Sequence, residues 1–251
     1  MILFCFNATA FAAATDDPPE GMFSLKTIEK ECIEFSRIEI GFPQGDASDC
    51  AVSDFGLIGS IEGNKYYYAI YCLIPTFRGD NFKCEDAQVS SYQSSALAIF
   101  VLEKGGKFLK LWLEKAESNF DSLKYVEPAI IRNRYGAFLA VPIHNKGTDD
   151  SNASEYYIWN ESHWELVDSK SLFDELRKEL PEGFRVLGGI WPDLEDMTAR
   201  VGLYKEKDKR CCPSATAHMD LEFIDKKFSI RAVDIDIKEE EEIEELNETL
   251  E

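Results

Sequence analysis

Apolar and polar residues alternate with the two-residue period of a pleated strand in several parts of the chain. Every second residue of 109–113 is leucine, and 233–237 alternates β-branched apolar residues with aspartate. This period indicates strands with one buried face. Segments 65–75 and 96–102 are apolar at both parities, so we expect central strands that are covered on both faces.

These strands recur in a pattern that repeats three times. Each repeat has a strand, a polar loop, a second strand, a tight polar turn and a third strand that opens with an aromatic residue. The second strands begin at positions 96, 155 and 217, which are 59 and 62 residues apart. A period of this size is typical of stacked or radially arranged β-units. The predicted fold class is α+β and predominantly antiparallel β, with three β-units of about 60 residues and one or two short helices.

Helical spacing of apolar residues is rare in this sequence. Ser171 can cap a helix that has Asp174 at its third position and an apolar face built on leucines, and Pro181 and Gly183 should end it. A second candidate helix is 25–35, where four apolar residues recur at helical spacing.

The resulting division of the chain has four parts. We expect the following segments: a signal-peptide remnant (1–14), an N-terminal helix–strand segment (15–64), the three β-units (65–125, 126–185 and 186–237) and an acidic tail (238–251).

The N-terminal residues have the composition of the end of a secretory signal peptide. An apolar run is followed by small residues in A-x-A register and then by an acidic, proline-containing junction. The alternative is a buried N-terminal strand in a cytosolic protein. No run reaches the ~18 apolar residues that a membrane span needs. We therefore expect a secreted or periplasmic protein without membrane insertion.

The strongly negative charge excludes some classes of partner. The chain carries 27 Lys and Arg against 47 Asp and Glu, a net charge of −20. Nucleic acids and anionic membrane surfaces both require basic patches, so neither is an expected partner. A protein or a small molecule remains as the expected ligand.

Motifs for metal binding and catalysis are missing from the sequence. It has three histidines and no H-E-x-x-H, C-x-x-C or calcium-loop pattern. A G-x-S-x-G elbow and a glycine-rich phosphate loop are also missing. We predict no catalytic residue, no metal ligand and no cofactor.

The cysteines are the most informative residues chemically. Six of the seven remain if Cys5 leaves with a signal peptide, and an even number fits disulfides in an oxidising compartment. Cys211 and Cys212 are adjacent, and their Cα atoms lie about 3.8 Å apart across a trans peptide, closer than in most disulfides. They either bond to each other under strain or find two different partners, which would be Cys32 and Cys50.

The segment around the adjacent cysteines resembles known sequences. Residues 208–214 read D-K-R-C-C-P-S, and with the hairpin that follows (about 186–233 in all) they resemble uncharacterised secreted bacterial β-rich proteins that carry a D-x-x-C-C-P-[ST] loop. The resemblance implies no activity, but it favours a bond between Cys211 and Cys212 that stiffens the loop. The remaining simple pairing is then Cys72–Cys84 with Cys32–Cys50.

The three long loops of the repeats occupy equivalent positions, at 76–95, 144–154 and 205–216. Equivalent loops of stacked units share an edge, and such edges carry function. The first loop also contains an R-G-D tripeptide that Cys72 and Cys84 flank. The candidate binding residues on this edge are Arg78, Asp80, His144, Asp149, Asp150 and Arg210.

The sequence thus favours a non-enzymatic binding or interaction protein. Two alternatives stay open. One is an enzyme whose site is assembled from distant residues without a local motif, and the other is a structural component of the cell envelope.

Overall fold

A computed structural model describes residues 18–33, 47–75, 94–117, 123–145 and 154–238. The described helices are α1 (Leu25–Lys30) and α2 (Ser171–Glu179). The described strands are β1 (Met22–Phe23), β2 (Ala47–Ile61), β3 (Asn64–Pro75), β4 (Ser94–Leu102), β5 (Leu109–Glu117), β6 (Leu123–Tyr125), β7 (Ala129–Asn133), β8 (Gly136–Val141), β9 (Ile143–Asn145), β10 (Glu155–Asn160), β11 (His163–Leu166), β12 (Arg185–Val186), β13 (Trp191–Asp193), β14 (Thr198–Tyr204), β15 (Ala215–Ile224) and β16 (Lys227–Ile237).

The strands form three successive antiparallel sheets and one short ribbon. The N-terminal sheet has the order β1-β5-β4-β3-β2, and the middle sheet has the order β11-β10-β8-β7. The C-terminal sheet has the order β12-β14-β15-β16, with β13 also paired to β14, and β6 pairs with β9. The predominantly antiparallel β class is therefore confirmed, with two short helices among the described residues.

The middle sheet is covered on both faces, because alternate residues of its strands point into different cores. Leu139 and Tyr157 pack against Ile99 and other residues of the N-terminal sheet. Phe138 and Ile158 pack against the C-terminal sheet and α2. The outer face of the N-terminal sheet is covered in turn by α1. This stacking leaves the face of the C-terminal sheet that points away from the middle sheet open to solvent.

The hairpin turns adopt the backbone geometry that tight antiparallel pairs need. The β15–β16 turn consists of Asp225 and Lys226, both at positive φ, and the β2–β3 turn consists of Glu62 and Gly63, also both at positive φ. Two residues at positive φ make a primed turn, whose twist matches that of the strands. The tight turn predicted between the second and third strands of the last repeat is therefore confirmed.

The two predicted helices exist, with corrections. The first ends at Lys30, five residues earlier than predicted, and Ser24 caps it by accepting a hydrogen bond from the Thr27 N–H. The N-cap prediction for the second helix is wrong. Asp168 accepts from the Lys170 and Ser171 N–H groups at 2.9 and 3.3 Å, while the Ser171 hydroxyl donates to the Phe228 carbonyl at 2.8 Å.

Strand β2 joins the predicted N-terminal segment to the first β-unit. The strand β2 belongs to the N-terminal sheet and pairs with β3 over its whole length, so the segment 15–64 and the first β-unit are parts of one sheet. The three sheets differ in strand number and strand length, and a repeat of three equivalent units is not confirmed. Residues 1–17 and 239–251, with the expected signal peptide and most of the acidic tail, lie outside the described residues. Neither described helix has the length and apolar character needed to cross a membrane.

Candidate binding groove on the C-terminal sheet

The C-terminal sheet divides its residues sharply between its two faces. Ala199, Val201, Ala217 and Met219 are buried against the middle sheet. Arg200 and His218, at the opposite parity on the same strands, are exposed. The second face is therefore polar, although the strands that carry it are anchored in the core on their other side.

This polar face is concave and holds a cavity of about 600 Å³. A β-bulge contributes to the curvature, because the register of β15 and β16 shifts at Asp220 and leaves Arg231 as the extra residue, and bulges bend and twist the strand that contains them. We call this cavity the groove. Its main polar and aromatic lining residues are Trp191, Asp193, Thr198, Arg200, His218, Asp220 and Asp234.

Four of these residues stand side by side across the groove. Trp191 is the register partner of Arg200, Arg200 that of His218, and His218 that of Asp234. Register partners point to the same face, with Cβ atoms about 4.5–5.5 Å apart. Trp191 is 41% exposed, an unusual position for the largest apolar side chain. We call this line of side chains the central row.

The polar members of the central row have no side-chain partner among the described residues. Within the part of the chain that the structure describes, no side-chain hydrogen bond or ion pair engages Arg200, His218 or Asp234. Their donors and acceptors therefore face solvent. The row combines a guanidinium with five donors, an imidazole that can donate or accept, and a carboxylate that only accepts.

The two other carboxylates of the groove are already engaged. Asp193 accepts the backbone N–H groups of Glu195 and Asp196 at 3.0 and 3.3 Å. Asp220 accepts from Arg231 at 2.8 Å, and this pair raises the pKa of Arg231. The groups of the groove left without a side-chain or backbone partner among the described residues are thus one guanidinium, one carboxylate and one imidazole.

The loop with the adjacent cysteines closes one end of this face. A Cβ atom on Gly202 would lie 3.0 Å from Cγ of Pro213, so the proline ring lies directly on the β14 backbone. Gly202 has the same parity as Arg200 and is two residues further along β14. Pro213 therefore lies on the same face of the sheet as the central row, over Gly202, two residues further along β14 than Arg200.

Asp208 holds this loop in shape. Its carboxylate accepts hydrogen bonds from the Lys205 N–H at 2.6 Å, the Ser214 N–H at 3.1 Å and the Ser214 hydroxyl at 2.6 Å. Burial alone would raise the pKa of Asp208, but the hydrogen bonds from Ser214 and Lys205 outweigh it and lower the pKa below its ordinary value. The Tyr204 hydroxyl adds a hydrogen bond to the Arg210 carbonyl at 3.0 Å.

The disulfides agree with the pairing that the resemblance favoured. Cys211 bonds to Cys212, and Cys32 bonds to Cys50. Cys72 is disulfide-bonded as well, while Cys84 lies outside the described residues. The bond between the adjacent cysteines lies in the loop that borders the groove, and Cys212 is buried there.

Most residues of the predicted loop edge lie outside the described part of the chain. Arg78, Asp80, Asp149 and Asp150 lie outside the described residues. The backbone of His144 lies in β9, opposite Lys124 of β6. Arg210 lies in the loop beside the groove, which makes it the one member of the predicted set with a described position near the new site.

Sequence reasoning missed the central row altogether. The alternation of apolar and polar residues along 198–204 separates Arg200 from Ala199 and Val201. Trp191 was not assigned to a strand, and the register that aligns the four side chains comes from pairing across three hairpin or loop connections. A search for polar residues at the alternate, solvent-facing positions of β14, β15 and β16 would have found Arg200, His218 and Asp234 as a set.

Other groups with catalytic residue types are less suited to chemistry. The Ser162 hydroxyl lies 3.4 Å from Nδ1 of His163, whose Nε2 lies 3.1 Å from Glu165. His163 is 60% exposed, and Glu165 also binds Lys226. The 3.4 Å contact between Ser162 and His163 is long for a hydrogen bond between a nucleophile and its base. We therefore interpret these side chains as support for the turn between β10 and β11. Within the described ranges, no group of three or more His, Cys, Asp or Glu side chains could hold a metal ion.

Comparison with known proteins adds no family to this description. The sequence matches no protein-family model, and no curated protein is significantly similar to it.

Proposed function

We propose that this protein is a non-enzymatic binding module that holds a polar ligand in the groove of the C-terminal sheet. The observation that carries the proposal is the central row, in which Arg200, His218 and Asp234 stand in register beside the exposed Trp191 and have no side-chain partner in the part of the chain that the structure describes. Concave sites with a few convergent polar groups are the usual places for ligands. The rigid sheet beneath the row fixes the spacing of these groups before a ligand arrives.

The loop 205–216 is part of this proposal because it lies next to the groove on the same face of the sheet. It was expected to lie on a functional edge, and its Pro213 now lies on the ligand-facing side of β14. We extend the proposal to the loops 76–95 and 144–154 as equivalent loops of a three-unit repeat. The position of the third loop beside the groove supports this extension.

A secreted or periplasmic location also belongs to the proposal. The support is the pair of disulfides, Cys32–Cys50 and Cys211–Cys212, because stable disulfides persist mainly in oxidising compartments. In such a compartment the negative net charge of the chain keeps the protein soluble and apart from anionic surfaces.

The test uses histidine resonances as reporters, so that a ligand of any polar class can be detected. The chain has three histidines, so the imidazole signals can be assigned with His218→Gln and His163→Gln variants. In a nuclear magnetic resonance screen of small polar molecules, we expect at least one compound to shift the His218 signal and leave the His163 signal in place. His163 lies in the middle sheet at the β10–β11 turn and serves as the internal control.

The Arg200→Gln variant completes this test. Arg200 is exposed and has no side-chain partner within the described ranges, so its substitution should change stability by no more than about 0.5 kcal/mol. It should weaken the binding of any compound that shifts His218. A screen in which no compound shifts His218, or in which Arg200→Gln leaves all binding unchanged, would show that the groove is not a ligand site.

A further inference from the structure

We infer that the ligand of the groove is a neutral carbohydrate, longer than a single sugar ring. This inference rests on the proposed binding function and gives it a chemical class. It comes from three properties of the central row: its exposed aromatic end, its mixture of hydrogen-bond donors and acceptors, and its balance of charge.

The aromatic end of the row is Trp191, on the short strand β13. An indole ring is a large, rigid apolar surface with one polar N–H group. At 41% exposure it leaves a substantial part of this surface in water, which favours a ligand that covers it. The face of a pyranose ring that carries axial C–H groups is a flat apolar surface of suitable size, and its hydroxyls project sideways toward neighbouring polar groups.

The polar members of the row match the hydroxyl groups of a sugar. Each hydroxyl both donates and accepts hydrogen bonds, so a polyol needs donors and acceptors in alternation. Arg200 supplies donors, His218 supplies either, and Asp234 supplies acceptors, in register order across neighbouring strands. The guanidinium and the carboxylate are both planar and can each bind two adjacent hydroxyls.

The length of the row indicates more than one ring. Trp191, Arg200, His218 and Asp234 come from four adjacent strands. Neighbouring strands lie ~4.8 Å apart, so three intervals span ~14 Å. A single monosaccharide stacked on the indole would not reach Asp234 at the far end, whereas a short oligosaccharide laid across the strands would.

The charged groups of the groove favour a neutral ligand over an anion. The free guanidinium of Arg200 and the free carboxylate of Asp234 offset each other, and Asp220 pairs with Arg231 at 2.8 Å. Asp193 accepts only backbone N–H groups, so its charge leaves the groove slightly negative. An anion would meet the field of a chain with net charge −20. A polyamine would meet the unpaired guanidinium in the middle of the row.

The experiment measures binding of named probes by titration calorimetry and by the His218 resonance. The probes are neutral trisaccharides of glucose, mannose, galactose and N-acetylglucosamine, with spermidine and citrate as the charged probes. We expect at least one trisaccharide to bind saturably and to shift the His218 signal, while its monosaccharide binds at least tenfold more weakly. Neither charged probe should bind more tightly than that trisaccharide.

Three variants test the role of the row. Trp191→Ala should weaken trisaccharide binding at least tenfold, and Trp191→Phe should restore most of it, because the phenyl ring keeps a stacking surface. Asp234→Asn should weaken binding severalfold. Asp236→Asn is the matched control, since Asp236 is exposed on the same strand, two residues beyond Asp234 and outside the groove lining, and it should bind like the wild type.

The outcomes separate the ligand class from the site. If spermidine or citrate shifts His218 and no trisaccharide does, the carbohydrate inference is wrong and the groove remains the binding site. If a trisaccharide binds equally well to Trp191→Ala and does not shift His218, it binds elsewhere and the inference is also wrong. If no compound in the broader screen shifts the His218 signal, the proposed function itself is wrong.

Discussion

Asp208 shows how a single side chain can determine the shape of a loop. It accepts hydrogen bonds from two backbone N–H groups and one hydroxyl, and Ser214, which provides two of them, is only 2% exposed. Removal of the carboxylate would leave the Ser214 N–H and hydroxyl buried without a partner. The loop would then lose both its internal order and the fixed position of Pro213 on β14.

We therefore predict that Asp208→Ala lowers the free energy of unfolding by about 2–3 kcal/mol, the cost of leaving buried polar groups unsatisfied. Glu206→Ala, an exposed change in the same turn, should cost no more than about 0.5 kcal/mol. Chemical denaturation of both variants is the measurement. Equal stability of Asp208→Ala and Glu206→Ala would mean that the hydrogen bonds to Asp208 contribute little.

The lowered pKa of Asp208 adds a pH dependence with a definite sign. A carboxyl group with a lower pKa in the folded than in the unfolded state stabilises the fold above its unfolded value of about 3.9. That contribution is lost as the pH falls through the folded pKa. The wild type should therefore lose more stability than Asp208→Asn when the pH is lowered below about 4.

At the scale of secondary-structure elements, α2 protects the edge of the C-terminal sheet. The edge strand β16 has an N–H group at Ile230 that no neighbouring strand accepts, and Glu175 of α2 accepts it at 2.8 Å. Glu175 also accepts from the Ser229 hydroxyl at 3.3 Å and lies 3.6 Å from Nζ of Lys227. Uncovered edges invite pairing with other chains, so this contact joins the helix to the sheet and blocks the edge at the same time.

Glu175→Ala should lower the free energy of unfolding by about 1.5–3 kcal/mol, because a hydrogen bond between a backbone N–H and a charged acceptor is lost. The control is Glu179→Ala, one turn later on the same helix and exposed. Thermal and urea denaturation measure the difference, and light scattering near the midpoint measures aggregation, which should increase for Glu175→Ala only. A pair of variants with the same stability would contradict the proposed role of α2.

Sequence patterns predicted individual strands well where one face is buried and the alternation is unbroken. The alternating segment 109–113 lies in β5, and the apolar segments that became β3 and β4 do lie inside a sheet. The sequence pattern did not predict strand β2. Its pairing with β3 shifts register at three places, and bulges break the two-residue period of a strand. The groove was not predicted, since it depends on which strands are neighbours, and strand alternation does not contain that information.

At the scale of the whole molecule, a chain of contacts ties the middle and C-terminal sheets together at one corner. The Asp168 N–H donates to the Lys226 carbonyl at 2.9 Å, and the Phe228 N–H donates to the Asp168 carbonyl at 3.1 Å. Glu165 of β11 lies 2.8 Å from Nζ of Lys226 in the β15–β16 turn. These contacts fix the orientation of the sheet that carries the groove relative to the core behind it.

Glu165 makes this junction sensitive to acid. The hydrogen bond from Lys226, followed by that from Asn160, lowers the pKa of Glu165 from 4.5 to about 2, against a smaller opposing effect of burial. Because the folded-state pKa is the lower one, the contribution of Glu165 to stability is fully present above pH 4.5 and is lost as the pH falls toward 2.

We predict that the wild type loses stability steadily between about pH 5 and pH 2.5, and that Glu165→Gln loses less over the same interval. Lys226→Gln should reduce the loss in the same direction, since Lys226 is the main cause of the lowered pKa. Urea denaturation at several pH values measures these slopes, with Asp236→Asn as a control for an exposed acidic residue. Parallel curves for the wild type and Glu165→Gln would place the acid sensitivity elsewhere in the chain.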